Sequence, residues 1–141
     1  MITGIGTLHT PSLLLDVTRV RRNAERMGML AMRNGVSLRP HIKTHKCVEV
    51  SQIQTAGHLS AITVSTLAEA KAFAKHGFSD ITYAVPIERG KFDEAIGILR
   101  SGVKLNLLTD DADTVRLLDE TGGQAGVKGR AGTPLRPRLV L

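Results

Sequence analysis

The sequence predicts a parallel α/β fold, and three observations carry the prediction. Helix-period segments alternate with strand-like segments along the chain. The connections between them are short. The strand-like segments, such as "AITV" and "DITYAVP", are nearly continuous apolar runs, as expected when both faces of a sheet are covered. About five strands are expected by this alternation, too few to close an eight-stranded barrel. A last apolar run, "LRPRLVL", leaves a raw strand edge at the end of the chain. The pattern fits an open sheet or the first part of a longer barrel, in a single domain over 1–141.

The elements follow in order. "VTRVRRNAERMGMLAMRN", from Val17 to Asn34, has Val17, Val20, Ala24, Met27, Leu30 and Ala31 at helical steps. Asp16 is a natural N-cap and Asn34-Gly35 a natural stop. "GVSLRPHIK" reads as extended, because Pro40 disfavours helix at Arg39 and cannot lie deep in one itself. "VEVSQIQTA" is a short helix and "SAITVS" a short buried strand. "TLAE" from Thr66 to Glu69 is a capping box that opens the helix "LAEAKAFAKH", which stops at Gly77. "DITYAVP" is the next strand, "ERGKFDEAIGILRS" the next helix, and "VKLNLLT" a further strand. "DADTVRLLDE" is a helix with Asp110 or Asp111 near its cap, and "TGGQAGVKGRAGTP" a loop before "LRPRLVL".

Composition narrows the function classes. With 42% apolar and 23% charged residues the chain matches an ordinary soluble globular domain, so disorder throughout is excluded. No apolar run approaches the ~18 residues of a membrane span, and the start lacks the features of a secretory signal. The single cysteine, Cys47, cannot form an internal disulfide, which fits a cytoplasmic location. The net charge of +6 raises nucleic acid as a partner. Aromatics make up only 3% with no tryptophan, so a base-stacking platform is not expected. No helix combines a basic face with a bulky apolar face, so a membrane surface is not expected either.

The chemistry concentrates in "RPHIKTHK", where Arg39, His41, Lys43, His45 and Lys46 are basic. On a strand, Arg39, His41, Lys43 and His45 share one face, while Leu38, Pro40 and Ile42 point to the covering helices. Such groups are costly to bury unpaired, so something anionic should lie on that face. Three readings compete. A charge run is most often a solvated surface. His41 and His45 have the spacing of a helical metal pair, but Pro40 opposes helix, no third ligand is near, and Lys43 would repel a cation. The third reading is a Schiff-base lysine. Lys43 lies near the carboxyl end of a parallel strand, where ligands gather. Neighbouring cations favour its neutral amine and attract a phosphorylated aldehyde such as pyridoxal phosphate.

The segments "TPSLLLDVTRVRRNAERM", "LRPHIKTHK" and "ITVSTLAEAKAFAKHGFSDITYAVPI" resemble the amino-terminal part of the D-threonine aldolase and D-serine dehydratase family. The resemblance runs from about Thr10 to Asp110. It implies a partial (β/α)8 barrel of the alanine racemase N-terminal type, about the first five βα units, with pyridoxal 5′-phosphate as cofactor. By the same resemblance Lys43 carries the cofactor, and His41, Thr44, His45 and Lys46 line or support its pocket. The implied substrates are D-configured β-hydroxy amino acids, cleaved by retro-aldol reaction or by β-elimination, with a homodimer possible for the full-length form. The family is more than twice this long. Its later strands, its C-terminal β domain and the divalent-metal site of that domain have no counterpart here, so the chain is expected to be inactive alone. A non-catalytic barrel protein that binds pyridoxal phosphate through one lysine is the alternative.

Other residues carry weaker signals. Ser65 and Thr66 follow a strand and are expected to cap the next helix. Tyr83 sits in a strand, facing either a barrel interior or the core. His9, His58 and His76 look like loop or helix-end residues, and Cys47 like a small packed side chain.

Overall fold

The computed structural model describes residues 4–55 and 61–127. Five helices and three strands make up its regular structure: α1 (Val17–Arg33), α2 (Val48–Thr55), β1 (Ala61–Val64), α3 (Leu67–Ala74), β2 (Asp80–Pro86), α4 (Phe92–Arg100), β3 (Lys104–Leu108) and α5 (Ala112–Gln124). The sheet has the order β1-β2-β3 and both pairings are parallel. Register is set by Ala61 opposite Asp80 and Asp80 opposite Lys104. Two β-helix-β crossovers therefore place α3 and α4 on one face of the sheet.

Alternation along the strands separates two faces. Ile62, Val64, Ile81, Tyr83 and Leu105 pack with Leu67, Ala70, Phe73, Phe92, Ala95 and Ile98 of the helices. Thr63, Asp80, Thr82 and Asn106 alternate with them and make the other face polar. Tyr83 belongs to the helix side, 1% exposed, with its hydroxyl accepting a hydrogen bond from Lys91 at 3.3 Å.

Local signals explain most boundaries. The Asp16 side chain accepts from the Arg19 N–H and starts α1; Thr66 does the same for α3 through the Glu69 N–H. Gly77 and Gly102, at φ 89 and 88, end α3 and α4 in a conformation that a Cβ would strain. Three expectations need correction. The loop expected from Thr121 is helical as far as Gln124. Capped by Asp111, α5 runs on to a Schellman ending, in which Gly126 N–H bonds Gly123 and Val127 N–H bonds Gly122. In α1 the covered stripe is Val20, Ala24, Gly28 and Ala31, whereas Val17, Met27 and Leu30 are exposed. The small residues allow close approach to α2, the helix that α1 packs on.

The first expected strand is reduced to one parallel bridge, His41 opposite Thr63. Pro40 has no N–H to give a ladder, so its carbonyl alone takes part, accepting from Thr63 N–H at 2.8 Å. The expected strand 135–141 and His58 lie outside the described residues, so the count of about five βα units is not reached here. Among the described residues no helix is long and apolar enough to cross a membrane.

Candidate functional site

The motif divides at Ile42. Before it the chain is extended and joined to β1. After it, Ile42–Thr44 form a single 3-10 turn. The strand-like alternation therefore stops there, and Lys43 and His45 do not share a face with Arg39 and His41. Ile42 is fully buried in the helix-side core and anchors the turn. Lys46 N–H closes it by donating to the Ile42 carbonyl at 2.8 Å.

Each basic side chain then has its own place. Arg39 lies on the polar face, 2.7 Å from Asp80 Oδ1, and donates to the Asp80 carbonyl at 3.2 Å. Lys104 and Asn106 reach the same carboxylate at 2.9 and 3.1 Å. Burial works to raise the Asp80 pKa, but the hydrogen bonds and charges of Arg39 and Lys104 outweigh it and hold it at about 2. The anion that a buried cation demands is thus a protein carboxylate. Arg39 is occupied as a structural ion pair.

Both histidines build the turn. His41 Nδ1 accepts from Lys43 N–H at 3.3 Å, and His45 Nδ1 accepts from Cys47 N–H at 3.1 Å. Each ring therefore carries its hydrogen on Nε2. His41 Nε2 points to Ser65 Oγ at 3.4 Å, and His45 Nε2 to Gln54 Oε1 at 3.0 Å. Burial first, then the Lys43 charge, lower the His41 pKa; Glu69 opposes them. Lys46 stands 3.1 Å from Glu69 Oε1. Thr44 is exposed, with no side-chain hydrogen bond among the described residues.

Lys43 differs from its neighbours. Its side chain is exposed, and no carboxylate among the described residues pairs with it. The turn holds it beside the carboxyl end of β1, next to His41, whose other ring nitrogen faces Ser65. The arrangement offers one amine with no salt-bridge partner, a neutral imidazole and a hydroxyl at the carboxyl edge of a parallel sheet, where α/β proteins place ligands. Among the described residues no group of three His, Cys, Asp or Glu side chains could hold a metal ion.

Sequence reading missed Asp80 and Gln54, and saw Glu69 only as a capping partner. Asp80 had a usable signal. It opens "DITYAVP", and period two puts it opposite in face to Ile81 and Tyr83, toward Arg39. Gln54 had none, since its contact depends on how α2 folds back on the turn.

The fold is similar to that of alanine racemase-like α/β proteins. The backbone superposes on an alanine racemase-like protein from Idiomarina loihiensis with a TM-score of 0.81 and 31% identity, over 88% of this chain and 33% of that one. The structure of D-threo-3-hydroxyaspartate dehydratase from Delftia sp. HT23 also gives 0.81, with 86% of this chain and 32% of that chain covered. In sequence that dehydratase is 39% identical over 120 residues, and D-serine dehydratase from Dictyostelium discoideum is 37% identical over 117 residues, 79% of this chain and 29% of its own length. Over most of its length the chain is homologous to proteins named D-threo-3-hydroxyaspartate dehydratase, D-serine dehydratase and D-threonine aldolase. It spans about a third of the length of these relatives. No protein-family model matches the chain.

Proposed function

We propose that the chain forms the lysine-bearing part of an enzyme that uses pyridoxal phosphate to act on D-configured β-hydroxy amino acids. The reaction is β-elimination or retro-aldol cleavage, the chemistry named for its relatives. One observation carries the reading. Arg39 and Lys46 have carboxylate partners, His41 and His45 have hydrogen-bonded rings, and of the five basic side chains of the motif Lys43 alone has no hydrogen-bond or ion-pair partner among the described residues.

The residues present fit the cofactor at its aldehyde end. Lys43 supplies the amine that would hold it. His41 and Ser65 stand beside the turn, where they orient the ring of the cofactor and handle protons at His41 Nε2 and Ser65 Oγ. Thr44, His45 and Lys46 support the turn from its other side. When bound, pyridoxal phosphate withdraws electrons from the α-carbon of an amino acid and loosens its bonds. Groups for the phosphate are not identified among the described residues. In this reading residues 1–141 supply the part of a cofactor-binding barrel that carries the lysine.

The test is a spectrum of the chain mixed with pyridoxal phosphate, followed by borohydride reduction and peptide mass analysis. The expected result is a visible band and one modified lysine, Lys43, both lost in Lys43→Ala. Labelling scattered over surface lysines would overturn the reading. A specific Lys43 adduct with no turnover even in a longer chain would favour the non-catalytic binder.

A further inference from the structure

The far end of the Lys43 turn is closed by Lys46, whose backbone lies at φ 49, a left-handed conformation that a residue with a Cβ rarely adopts. Facing it, from the first turn of α3, is Glu69. The Glu69 side chain is only 9% exposed. Its Oε2 accepts the Ser65 N–H at 2.8 Å. An ordinary capping box would send this carboxylate to the N–H of the cap residue, Thr66. Here Oε2 reaches one residue further back, and Oε1 is turned toward the motif.

Oε1 lies 3.1 Å from Lys46 Nζ in an ion pair, and no other group hydrogen-bonds it among the described residues. A carboxylate buried this far needs a compensating charge. Lys46 provides that charge, and the ion pair in turn holds a backbone conformation that is unfavourable on its own. The turn is thus pinned at Ile42 by the core and at Lys46 by Glu69, with Lys43 between the two pins.

We infer that Glu69 is a positioning residue for Lys43: through Lys46 it fixes the turn 42–46 against the end of β1 and so sets where the Lys43 amine stands relative to His41 and Ser65. Glu69 acts through Lys46 and touches no reacting atom. The consequence for cofactor attachment rests on the proposed role of Lys43, whereas the clamp is a property of the turn itself.

The experiment uses the full chain as wild type, Glu69→Gln and Lys46→Met. Glu69→Gln keeps an oxygen for the Ser65 N–H and removes the charge; Lys46 is 63% exposed, so its replacement leaves the core alone. Amide hydrogen exchange is followed at Lys43, His45, Lys46 and Cys47, with Ile62, Val64, Val50 and Ser51 as references. Both variants should speed exchange in the turn about tenfold with the references unchanged. The pyridoxal phosphate concentration for half-maximal borohydride trapping on Lys43 should rise about tenfold as well. Unchanged exchange in the turn, or equal acceleration at the references, would overturn the clamp. Faster turn exchange with unaltered trapping would overturn the positioning role. If the wild type is not trapped at Lys43, the cofactor reading fails, and hydrogen exchange alone decides the clamp.

Discussion

The two halves of "RPHIKTHK" are chemically alike and structurally opposite. Arg39 to Ile42 is built into the sheet: Arg39 is 13% exposed, Ile42 is fully buried, and His41 bridges to Thr63. Lys43 to Lys46 is a turn resting on that base, with Lys43, Thr44 and Lys46 exposed. The lesson is that basic residues in one short run need not share a task. The first half supplies a rigid footing, and the second presents an amine.

If that division is right, the two halves respond differently to mutation. The largest effect is expected from Ile42→Ala, which empties a site with no exposure in the helix-side core. A loss of about 2–4 kcal/mol should appear in urea unfolding. Asp80→Asn comes next. It leaves Arg39 partly buried without its counter-charge and should cost about 1–3 kcal/mol in the same assay.

The Asp80 pair also has a pH signature. Its folded pKa is about 2, below the ordinary 3.8. A depressed carboxylate contributes stability that is complete above the unfolded value and is lost as pH falls through the folded one. Unfolding measured from about pH 5 down to about pH 1 should therefore show a loss of about 1–2 kcal/mol, after allowance for solvent screening, that is missing in Asp80→Asn. The smallest effect is expected from Lys43→Ala. An exposed side chain with no ion-pair partner should shift stability by about 0.5 kcal/mol or less. A large loss there would break the division, because Lys43 would then belong to the footing.

Much of this was legible in the residues. The parallel α/β arrangement followed from period and punctuation, because Asp16, Thr66, Gly77 and Gly102 act locally, and local chemistry is what a sequence displays. The polar and apolar faces of the motif were legible up to Ile42. Beyond it the alternation failed, since strand periodicity cannot report where a strand stops pairing, and the 3-10 turn at Ile42–Thr44 ends it here. The partners of the cations were not legible. Asp80 and Glu69 are 41 and 23 residues from Arg39 and Lys46, and only the crossovers bring them together. The expected anionic ligand was in part a pair of distant carboxylates.

The histidine turns change the charge that the motif carries. A ring that accepts an N–H at Nδ1 and keeps its hydrogen on Nε2 is neutral, and a doubly protonated imidazole has no acceptor left to make either turn. Arg39 and Lys46 are offset by Asp80 and Glu69. A stretch that spells a block of cations is, once folded, close to neutral except at one atom, Lys43 Nζ. An incoming anion therefore meets a single point of attraction in place of a diffuse basic patch.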